Sequence, residues 1–572
     1  MLSLYDVEFG NMTSYNIINL LLASMIQEIK NYNKCINTFL KNSTNSKQVK
    51  LKKIFFLRNE QVENFADKIN NYSIISKLKF KFSFSEYDNN LTIIKKKYDL
   101  SIIWLDYTFY KMDNQFFKWI NSKANELSKF SNYVLIKPII IPDLKYSKIV
   151  KLNNLYKKTF TNEKIIFLDI IDELLEDHKT YWDLERSDFF GTKTSLYGQE
   201  LQAKLLGLKV FPSIFNQKIK SVIFDLDDTL YTGVIGEDGV KKIFLDKNQK
   251  KAEKIYSSLF KKGTLLSICS KNNANDVKEV FKNKILNKKL FFPVQANWRI
   301  KSKNIQEIQK ILKISFHNIL FIDNNISEVM EVKKSIPEIN VFWANNSESF
   351  INCLKFYPNL KDYFNSNSNK INSKRIFDLK ASLKRDELKS NSKNDNYLAI
   401  LKMKLEYRLN NKKEFDRIFS LTNKVNQFIF TYRRFTKTEI REYFNNPNKF
   451  IFTISLRDKF SDSGNIGVVF FSKINNTIYL DELCVSCRAL GRKLENYFIF
   501  YPLKILSRKI TFDNFSIKFV NGPKNKPAKN YLEEFQKKNL KRKIFKKKLE
   551  IPFATLKKIS VKNKDIAINF KN

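Results

Sequence analysis

The amino-acid sequence predicts a multidomain α/β protein with an α+β region towards its carboxyl end. The chain has 572 residues, which is more than one hydrophobic core ordinarily contains. Short apolar runs alternate with helical stretches up to about residue 360, an order typical of parallel sheets covered by helices. Hairpin-like strands follow in the last third of the chain. The length predicts about three or four domains, and the pattern along the chain favours three.

Changes in pattern and composition divide the chain into four segments. Residues 1–210 alternate helical stretches such as NIINLLLASMIQEIKNY with strands such as KKIFFL and DLSIIWLD. Residues 211–362 alternate again, with the strands SVIFDL, TLLSICS, NILFID and INVFW. Residues 363–396 are rich in Asn, Ser and Lys around the helical IFDLKASLKRDEL, which predicts a linker with a connecting helix. Residues 397–572 begin with a long helical pattern, followed by the strands FIFTISLRD, NIGVVFFSK and NTIYLDELCV and a helix over LGRKLENYFIFYPLKIL, which indicates an α+β domain.

The chain is strongly basic. Lys and Arg number 102 against 58 Asp and Glu, a net charge of +44. The excess is spread along the chain as Lys, beside abundant Asn, Ile and Phe, which is what an AT-rich coding sequence produces, and no nucleic-acid-binding motif accompanies it. We therefore do not expect nucleic acid as a partner. The charge favours acidic partners such as carrier proteins and phosphorylated metabolites.

Composition also predicts a cytoplasmic protein. No apolar run approaches the length of a membrane helix, and the start MLSLYDVEFG lacks a basic leader before an apolar core, so we expect no membrane association. The five cysteines suit a reducing compartment rather than a disulfide framework. Cys484 and Cys487 form a CxxC without a second pair or a nearby His, which argues against zinc.

Three aspartates crowd the end of one strand-like run in the second segment. Asp225, Asp227 and Asp228 follow the apolar VIF, and neighbouring carboxylates repel one another unless a cation or a proton lies between them. Two other strand-like runs of this segment end in Ser270 and Asp323. Because ligands of open α/β sheets bind outside the carboxyl ends of the strands, we expect these side chains to converge on one crevice.

Lys301, at a predicted helix start, completes this group. Carboxylates, a hydroxyl and an ammonium around one crevice predict a site for a phosphoryl group and a magnesium ion.

This order of motifs resembles the haloacid dehalogenase (HAD) phosphotransferase superfamily. The resemblance implies that Asp225 is the nucleophile that becomes an aspartyl phosphate, and that Asp227 is the general acid and base. It implies that Ser270 bonds a phosphoryl oxygen, that Lys301 offsets charge, and that Thr229 fixes the turn. For Thr229 a turn or capping role alone is the alternative.

The resemblance also implies a magnesium site. Asp225, Asp323 and the backbone carbonyl of Asp227 would hold the ion. Many members carry a second acid where this chain has Asn324, which retains an oxygen ligand but loses a charge, so we expect weaker metal affinity or slower turnover. A capping role is the alternative for Asn324.

Flanking residues resemble the FkbH-like subfamily more particularly. The matching stretches are DLDDTLYTGVIGEDG, CSKNN with the predicted substrate-binding Asn272, NW..K and FIDNN..E, followed by NQFIFTYRRFT, SLRDKFSDSGNIGVV, SCRALGRKLE and PKNKP. Departures are Tyr231 and Thr232, where Trp and Gly are usual, and Ile326, where Pro is usual.

The amino-terminal segment resembles the SGNH-like region that precedes the phosphatase domain in these proteins. It lacks a GDS motif, and the chain's two histidines, His178 and His317, are in no DxxH arrangement. We therefore expect a docking or structural module rather than a hydrolase, and a structural role for His317.

The carboxyl-terminal segment resembles GNAT acyltransferases. In RALGR, Arg488, Gly491 and Arg492 are expected at a helix start after a strand, where backbone amides and guanidinium groups bind the phosphate of phosphopantetheine or CoA. A solvated helix face is the alternative. Cys487 is the candidate acyl-accepting thiol because Arg488 would lower its pKa, and Cys269 is a competitor. Either cysteine has the alternative of a small buried side chain.

Together these resemblances predict an enzyme that removes phosphate from a small phosphorylated acyl donor similar to 1,3-bisphosphoglycerate and transfers a glyceryl group to a carrier-protein thiol. An alternative is a phosphatase fused to an acyltransferase that modifies a sugar in surface-polysaccharide or secondary-metabolite biosynthesis. Others are a binding module whose phosphatase site is impaired by Asn324 and a nucleic-acid end phosphatase, which only the net charge favours.

Overall fold

The computed structural model describes residues 49–73, 76–88, 90–175, 178–360, 371–391, 397–541, 545–559 and 566–571. The helix expected over NIINLLLASMIQEIKNY lies outside these residues, as do parts of the linker. The chain divides into two compact units, Met1–Asn372 and Ser373–Asn572. The first unit contains two parallel sheets and the second one mixed sheet, so the fold is multidomain α/β as predicted. The finer segment boundaries stay predictions.

The amino-terminal sheet of the first unit has five parallel strands in the order β2-β1-β3-β4-β5. Its strands are β1 (Lys50–Arg58), β2 (Leu78–Phe84), β3 (Tyr98–Trp104), β4 (Ser131–Ile136) and β5 (Ile165–Phe167). Its helices are α1 (Glu63–Ser73), α2 (Asn114–Leu127), α3 (Tyr146–Lys158), α4 (Ile171–Leu174), α5 (His178–Tyr181), α6 (Ser187–Phe190), α7 (Leu196–Leu205) and α8 (Phe211–Phe215), with a π-helical turn at Leu206–Val210 between the last two. Residues on both faces of β1 are buried, because helices cover the sheet on both sides.

The central sheet of the first unit also has five parallel strands, in the order β10-β9-β6-β7-β8. Its strands are β6 (Ser221–Phe224), β7 (Leu265–Ser270), β8 (Phe291–Ala296), β9 (Ile319–Asp323) and β10 (Asn340–Trp343). Its helices are α9 (Ile235–Asp238), α10 (Lys247–Lys261), α11 (Ala274–Lys282), α12 (Lys301–Leu312), α13 (Ile326–Ser335) and α14 (Ser347–Phe356). Every residue of β6 is buried, as expected for the middle strand of a sheet covered on both faces.

The second unit is built on a mixed sheet in the order β17-β16-β15-β14-β13-β11-β18, with β12 paired to β15. Its strands are β11 (Met403–Leu409), β12 (Phe428–Ile429), β13 (Lys449–Arg457), β14 (Asp462–Ile474), β15 (Thr477–Val485), β16 (Asn514–Lys518), β17 (Lys548–Pro552) and β18 (Ile566–Lys571). Its helices are α15 (Ile371–Asn391), α16 (Tyr397–Leu401), α17 (Phe415–Lys424), α18 (Lys437–Asn445), α19 (Glu495–Leu506), α20 (Lys526–Leu540) and α21 (Phe553–Lys558). Strands β13, β14 and β15 form the expected antiparallel meander.

Two predictions in the second unit are wrong. The long helix expected from residue 397 is only α16, and strand β11 follows, because MKLEYRL buries alternate side chains and pairs with β13. The helix expected over LGRKLENYFIFYPLKIL begins at Glu495. Gly491 and Lys493 have φ angles of 80° and 53°, which are incompatible with a continuous helix. The predicted connecting helix lies within α15.

No helix in the described ranges is long and apolar enough to cross a membrane.

Candidate functional site

Three strands of the central sheet deliver polar side chains to one edge. Phe224, the last residue of β6, is paired with Ile322 of β9 on one side and Ile268 of β7 on the other. Asp225 follows Phe224, and its backbone N–H donates to the carbonyl of Ile322 at 2.9 Å. The register therefore places Asp225 between the ends of the two strands that carry Ser270 and Asp323.

Lys301 connects two of these side chains. It is the first residue of α12, and its Nζ lies 2.8 Å from Oδ1 of Asp225 and 2.6 Å from Oδ2 of Asp323. The three side chains are almost completely buried. The other oxygen of Asp323 accepts a hydrogen bond from the backbone of Asn325 at 2.9 Å, which fixes the orientation of that carboxylate.

The buried group carries more negative than positive charge. Burial raises the pKa of Asp225 to about 7, with Lys301 opposing the rise and Asp323 adding to it. Burial likewise raises the pKa of Asp323, again against the effect of Lys301. Burial alone would lower the pKa of Lys301, but the two carboxylates offset this effect and hold it above its ordinary value. Two carboxylates thus share one ammonium, and this surplus of buried negative charge fits a divalent cation with oxygen ligands.

Asp227 is held by three hydrogen bonds. Its Oδ1 accepts from the hydroxyl of Tyr231 at 2.6 Å and from the backbone of Ile235 at 3.2 Å. Its Oδ2 accepts from Nδ2 of Asn272 at 2.9 Å. Asn272 also donates to Oγ of Ser270 at 2.9 Å. This network joins the proposed acid and base to the serine at the end of β7.

Sequence reasoning treated Tyr231 only as a departure from Trp, but its hydroxyl is a hydrogen-bond partner of Asp227. Burial holds the pKa of Tyr231 far above its ordinary value, so the hydroxyl remains protonated and donates. The pattern gave no signal of this contact, because the contact depends on the turn that brings residues 227 and 231 together.

The remaining predicted residues lie in the turns around this edge. Asp228 has a φ of 51°, and its carboxylate accepts from the backbone of Gly233 at 2.8 Å. Thr229 is buried, and its hydroxyl has no hydrogen-bond partner among the described residues. Asn324 is partly exposed, and its backbone carbonyl accepts from the indole of Trp343 at 2.9 Å.

The metal-ligand set is small within the described part of the chain. No three His, Cys, Asp or Glu side chains there are grouped as a metal centre. The available donors are therefore the carboxylates of Asp225 and Asp323, supplemented by the amide of Asn324 and backbone oxygens.

A charged pair at the same edge was missed by sequence reasoning. Lys271, between Ser270 and Asn272, forms an ion pair with Glu328 of α13. Both residues were within the quoted stretches CSKNN and FIDNN..E, but 57 positions separate them, so no spacing rule linked them.

The two predicted arginines of the second unit lie before α19 and not at its start. Arg488 is in a short 3₁₀ turn, Cys487–Ala489, and its Nη1 lies 2.6 Å from Oδ2 of Asp378 in α15. Arg492 is buried, and its Nη1 lies 2.9 Å from Oδ2 of Asp458. Gly491 is exposed, with open space beside its Cα. Both guanidinium groups are thus paired with carboxylates, and their expected role in phosphate binding stays a prediction.

The candidate thiols differ in what the structure describes. The side chain of Cys487 lies outside the described residues, as does that of His178. Cys269 is fully buried, its Sγ lies 3.8 Å from the carbonyl of Lys301, and burial raises the pKa of its thiol, which suits the alternative of a small buried side chain. His317 is in a short 3₁₀ turn and accepts a hydrogen bond through its backbone carbonyl from Asn340.

Comparisons with known proteins gave structural likenesses only. No protein-family model matches the chain, and no curated protein sequence matches it significantly. The N-terminal part of a Bacteroides fragilis protein, containing a phosphatase domain and complexed with Mg, is similar over 61% of this chain and 100% of its own, with 17% identity and a TM-score of 0.43.

Two further solved structures are similar over shorter stretches. A putative HAD-like phosphatase from Mesorhizobium loti covers 24% of this chain and 87% of its own, with 11% identity and a TM-score of 0.20. The ribosomal-protein-S18-alanine N-acetyltransferase of Escherichia coli covers 20% and 64%, with 5% identity and a TM-score of 0.16. All three TM-scores are below 0.5, so the function of this chain has to be inferred from its own strand order and site residues.

Proposed function

We propose that the central sheet carries a magnesium-dependent HAD-like phosphatase and that the second unit is an acyltransferase. The substrate is a small phosphorylated acyl donor similar to 1,3-bisphosphoglycerate, and the product is a glyceryl thioester on a carrier protein. The observation that carries the phosphatase proposal is the buried group of Asp225, Lys301 and Asp323 beside a fixed Asp227.

Asp225 is positioned as the nucleophile. Lys301 holds one of its oxygens at 2.8 Å, and Asp225 directly follows the fully buried middle strand of the sheet, so its carboxylate is held at the edge of the site. In the first step, an oxygen of Asp225 forms a bond to phosphorus while the bond from phosphorus to the leaving oxygen breaks. Lys301, Ser270 and Asn272 are placed to stabilise the charge on the phosphoryl oxygens.

Asp227 is positioned to move the protons. When protonated, it gives its proton to the leaving oxygen in the first step. In the second step it takes a proton from a water molecule, whose oxygen attacks the phosphorus of the aspartyl phosphate and restores the carboxylate of Asp225 with release of phosphate. The hydrogen bonds from Tyr231 and Asn272 keep Asp227 in place during both steps.

Magnesium fits this site because two buried carboxylates share only one ammonium. Asp225, Asp323, Asn324 and the backbone carbonyl of Asp227 would hold the ion. When bound, the ion neutralises charge on the carboxylates and on the phosphoryl oxygens.

The acyl transfer is assigned to the second unit. A thiolate attacks the acyl carbonyl, a sulfur–carbon bond forms, and the bond from that carbon to the acyl phosphate oxygen breaks, so the phosphate on C1 leaves. The phosphate ester on C3 is the group that Asp225 attacks, and its removal leaves the glyceryl thioester. Cys487 is our candidate for an intermediate acceptor, and Arg488 and Arg492 for binding the phosphopantetheine phosphate. Arg488 is paired with Asp378, with Nη1 2.6 Å from Oδ2. To bind the phosphate, Arg488 has to exchange this carboxylate for the ligand.

We place the protein in the cytoplasm, with an acidic carrier protein as its partner. Cys269, Cys353 and Cys484 are buried free thiols, which suits a reducing compartment. The net charge of +44 attracts an acidic carrier.

Intact-mass spectrometry tests the proposal. A phosphopantetheinylated carrier protein is incubated with the enzyme, magnesium and a system that generates 1,3-bisphosphoglycerate. We expect a glyceryl adduct on the carrier that disappears with Asp225→Asn and with Cys487→Ala. Phosphate release without an adduct retains the phosphatase and refutes the carrier assignment, which would favour the sugar-modifying alternative. No magnesium-dependent phosphate release refutes the phosphatase.

A further inference from the structure

The ion pair of Lys271 and Glu328 is at the edge of the phosphoryl site, but the proposed chemistry does not use it. Lys271 directly follows Ser270 and precedes Asn272, two residues of the site network. Glu328 is in the first turn of α13, and its charge adds to the raised pKa of both Asp323 and Cys269, so it lies near the buried carboxylates. The pair therefore joins the loop that follows β7 to the helix that follows β9.

The two side chains differ in their access to solvent. The side chain of Lys271 is 35% exposed and that of Glu328 is 16% exposed, whereas Lys301 beside them is 4% exposed. The ammonium of Lys271 is therefore open to solvent on one side. An incoming anion can reach it there and replace the carboxylate of Glu328.

The charges at the site indicate a role for Lys271 in offsetting negative charge. Lys301 is paired with two buried aspartates, at 2.8 and 2.6 Å, and its proposed role concerns the phosphoryl group under attack rather than a second anionic group of the substrate. An anionic substrate that approaches this edge also meets Asp227 and the exposed Asp228. The ammonium of Lys271 is a second cation at this edge, but its charge is balanced by Glu328. It can offset the repulsion of the substrate only when it is released from Glu328.

From these observations we propose that Lys271 is the specificity residue for a second anionic group of the substrate. This group is a carboxylate or a phosphate, separate from the phosphoryl group under attack. In the substrate-free enzyme Glu328 holds Lys271. This inference rests on the proposed phosphatase function and narrows its substrate class to small phosphorylated acids. The second group exchanges with the carboxylate of Glu328, and no covalent bond changes.

Two ligands that differ mainly in one charge test the proposal. 3-Phosphoglycerate has a carboxylate where glycerol 3-phosphate has a neutral hydroxymethyl group. In the wild-type enzyme with magnesium we expect kcat/KM for phosphate release to favour 3-phosphoglycerate by about 10-fold to 100-fold, the range of a charged hydrogen bond. Lys271→Met keeps the aliphatic side chain but removes the ammonium, so the preference should fall to about 2-fold or less, mainly through a higher KM for 3-phosphoglycerate.

The same ligands are also measured by calorimetry on Asp225→Asn, with and without Lys271→Met, so that binding is read without turnover. If Asp225→Asn prefers 3-phosphoglycerate and the double variant does not, the inference stands even if the wild type releases no phosphate, and only the phosphatase proposal fails. Equal affinity for both ligands in Asp225→Asn, or a preference that survives Lys271→Met, overturns the inference.

Two further variants separate recognition from a purely structural role. Glu328→Gln releases Lys271 and should tighten 3-phosphoglycerate binding several-fold, whereas loss of affinity for both ligands alike would show that the pair only ties two loops together. Lys282→Met is the matched control, because Lys282 forms an exposed pair with Glu279 in α11, 3.3 Å apart. It should leave the preference at its wild-type value.

Discussion

Asp225→Asn is expected to make the central sheet more stable than in the wild type when magnesium is absent and the pH is above neutral. Burial raises the pKa of Asp225 from 3.8 to about 7, with Lys301 opposing and Asp323 adding to the rise. The folded state thus holds this proton more tightly than the unfolded chain does. The contribution of Asp225 to stability therefore falls as the pH increases from about 4 to about 7, and then remains level. An asparagine at this position does not titrate and avoids the loss.

The size of the effect follows from the same shift. The pKa rises by about three units, and each unit corresponds to about 1.4 kcal/mol, so the full effect is about 4 kcal/mol. The asparagine of the variant retains a hydrogen-bonding side chain, and Lys301 keeps Asp323 as a partner at 2.6 Å. The advantage of the variant should be small near pH 4 and reach its full value above pH 7.

Hydrogen exchange with mass spectrometry measures this effect locally, which avoids a single unfolding free energy for a multidomain chain. The opening free energy of the peptide containing β6 is compared between the two proteins in EDTA from pH 5 to pH 8. Asp228→Asn is the control, because it removes a carboxylate from the same loop at an exposed position. A constant difference across this pH range, or one that Asp228→Asn reproduces, would refute our account of the buried charge.

Three other changes test separate parts of the site. Lys301→Met leaves two buried carboxylates without their ammonium and should lower the opening free energy of β6 by about 3–5 kcal/mol at pH 8. The same exchange method measures this value, and an unchanged value would contradict the ion-pair geometry. Tyr231→Phe removes only the hydroxyl that donates to Asp227 and should lower kcat for phosphate release by about 10-fold, with little change in KM. An unchanged kcat would show that this hydrogen bond is dispensable. Asp378→Asn removes the charged partner of Arg488. If that arginine binds phosphate, the affinity for CoA measured by calorimetry should increase by about 3-fold to 10-fold. An unchanged affinity would assign Arg488 a structural role.

The part of the fold that the sequence predicts well is the central parallel sheet. The apolar runs VIF and ILFI are buried throughout, and polar residues stand at the ends of β6, β7 and β9. For these three strands, strand position and site edge follow from one pattern. Strand β11 was mistaken for part of a helix, because it closely follows the helical α16 and its place depends on pairing with β13 and β18.

The parts of the site that the sequence does not predict depend on contacts between distant residues. Lys271 pairs with Glu328, 57 positions away in the sequence. Arg492 pairs with Asp458, 34 positions away, and Arg385 also lies 2.8 Å from that aspartate. Periodicity reports only local geometry, so the RALGR arginines looked free for a ligand. Their carboxylate partners are Asp378 of α15 and Asp458 between β13 and β14, whose positions beside the arginines depend on the tertiary fold.

Trapping the covalent intermediate tests the central claim most directly. The enzyme is mixed with magnesium and 1,3-bisphosphoglycerate, quenched in acid within a single turnover, and analysed by intact-mass spectrometry and peptide mapping. We predict one added phosphoryl group on Asp225 in the wild type and none in Asp225→Asn. Phosphate release with no phosphoryl group on Asp225, or undiminished release by a folded Asp225→Asn variant, would contradict the assignment of Asp225 as the nucleophile.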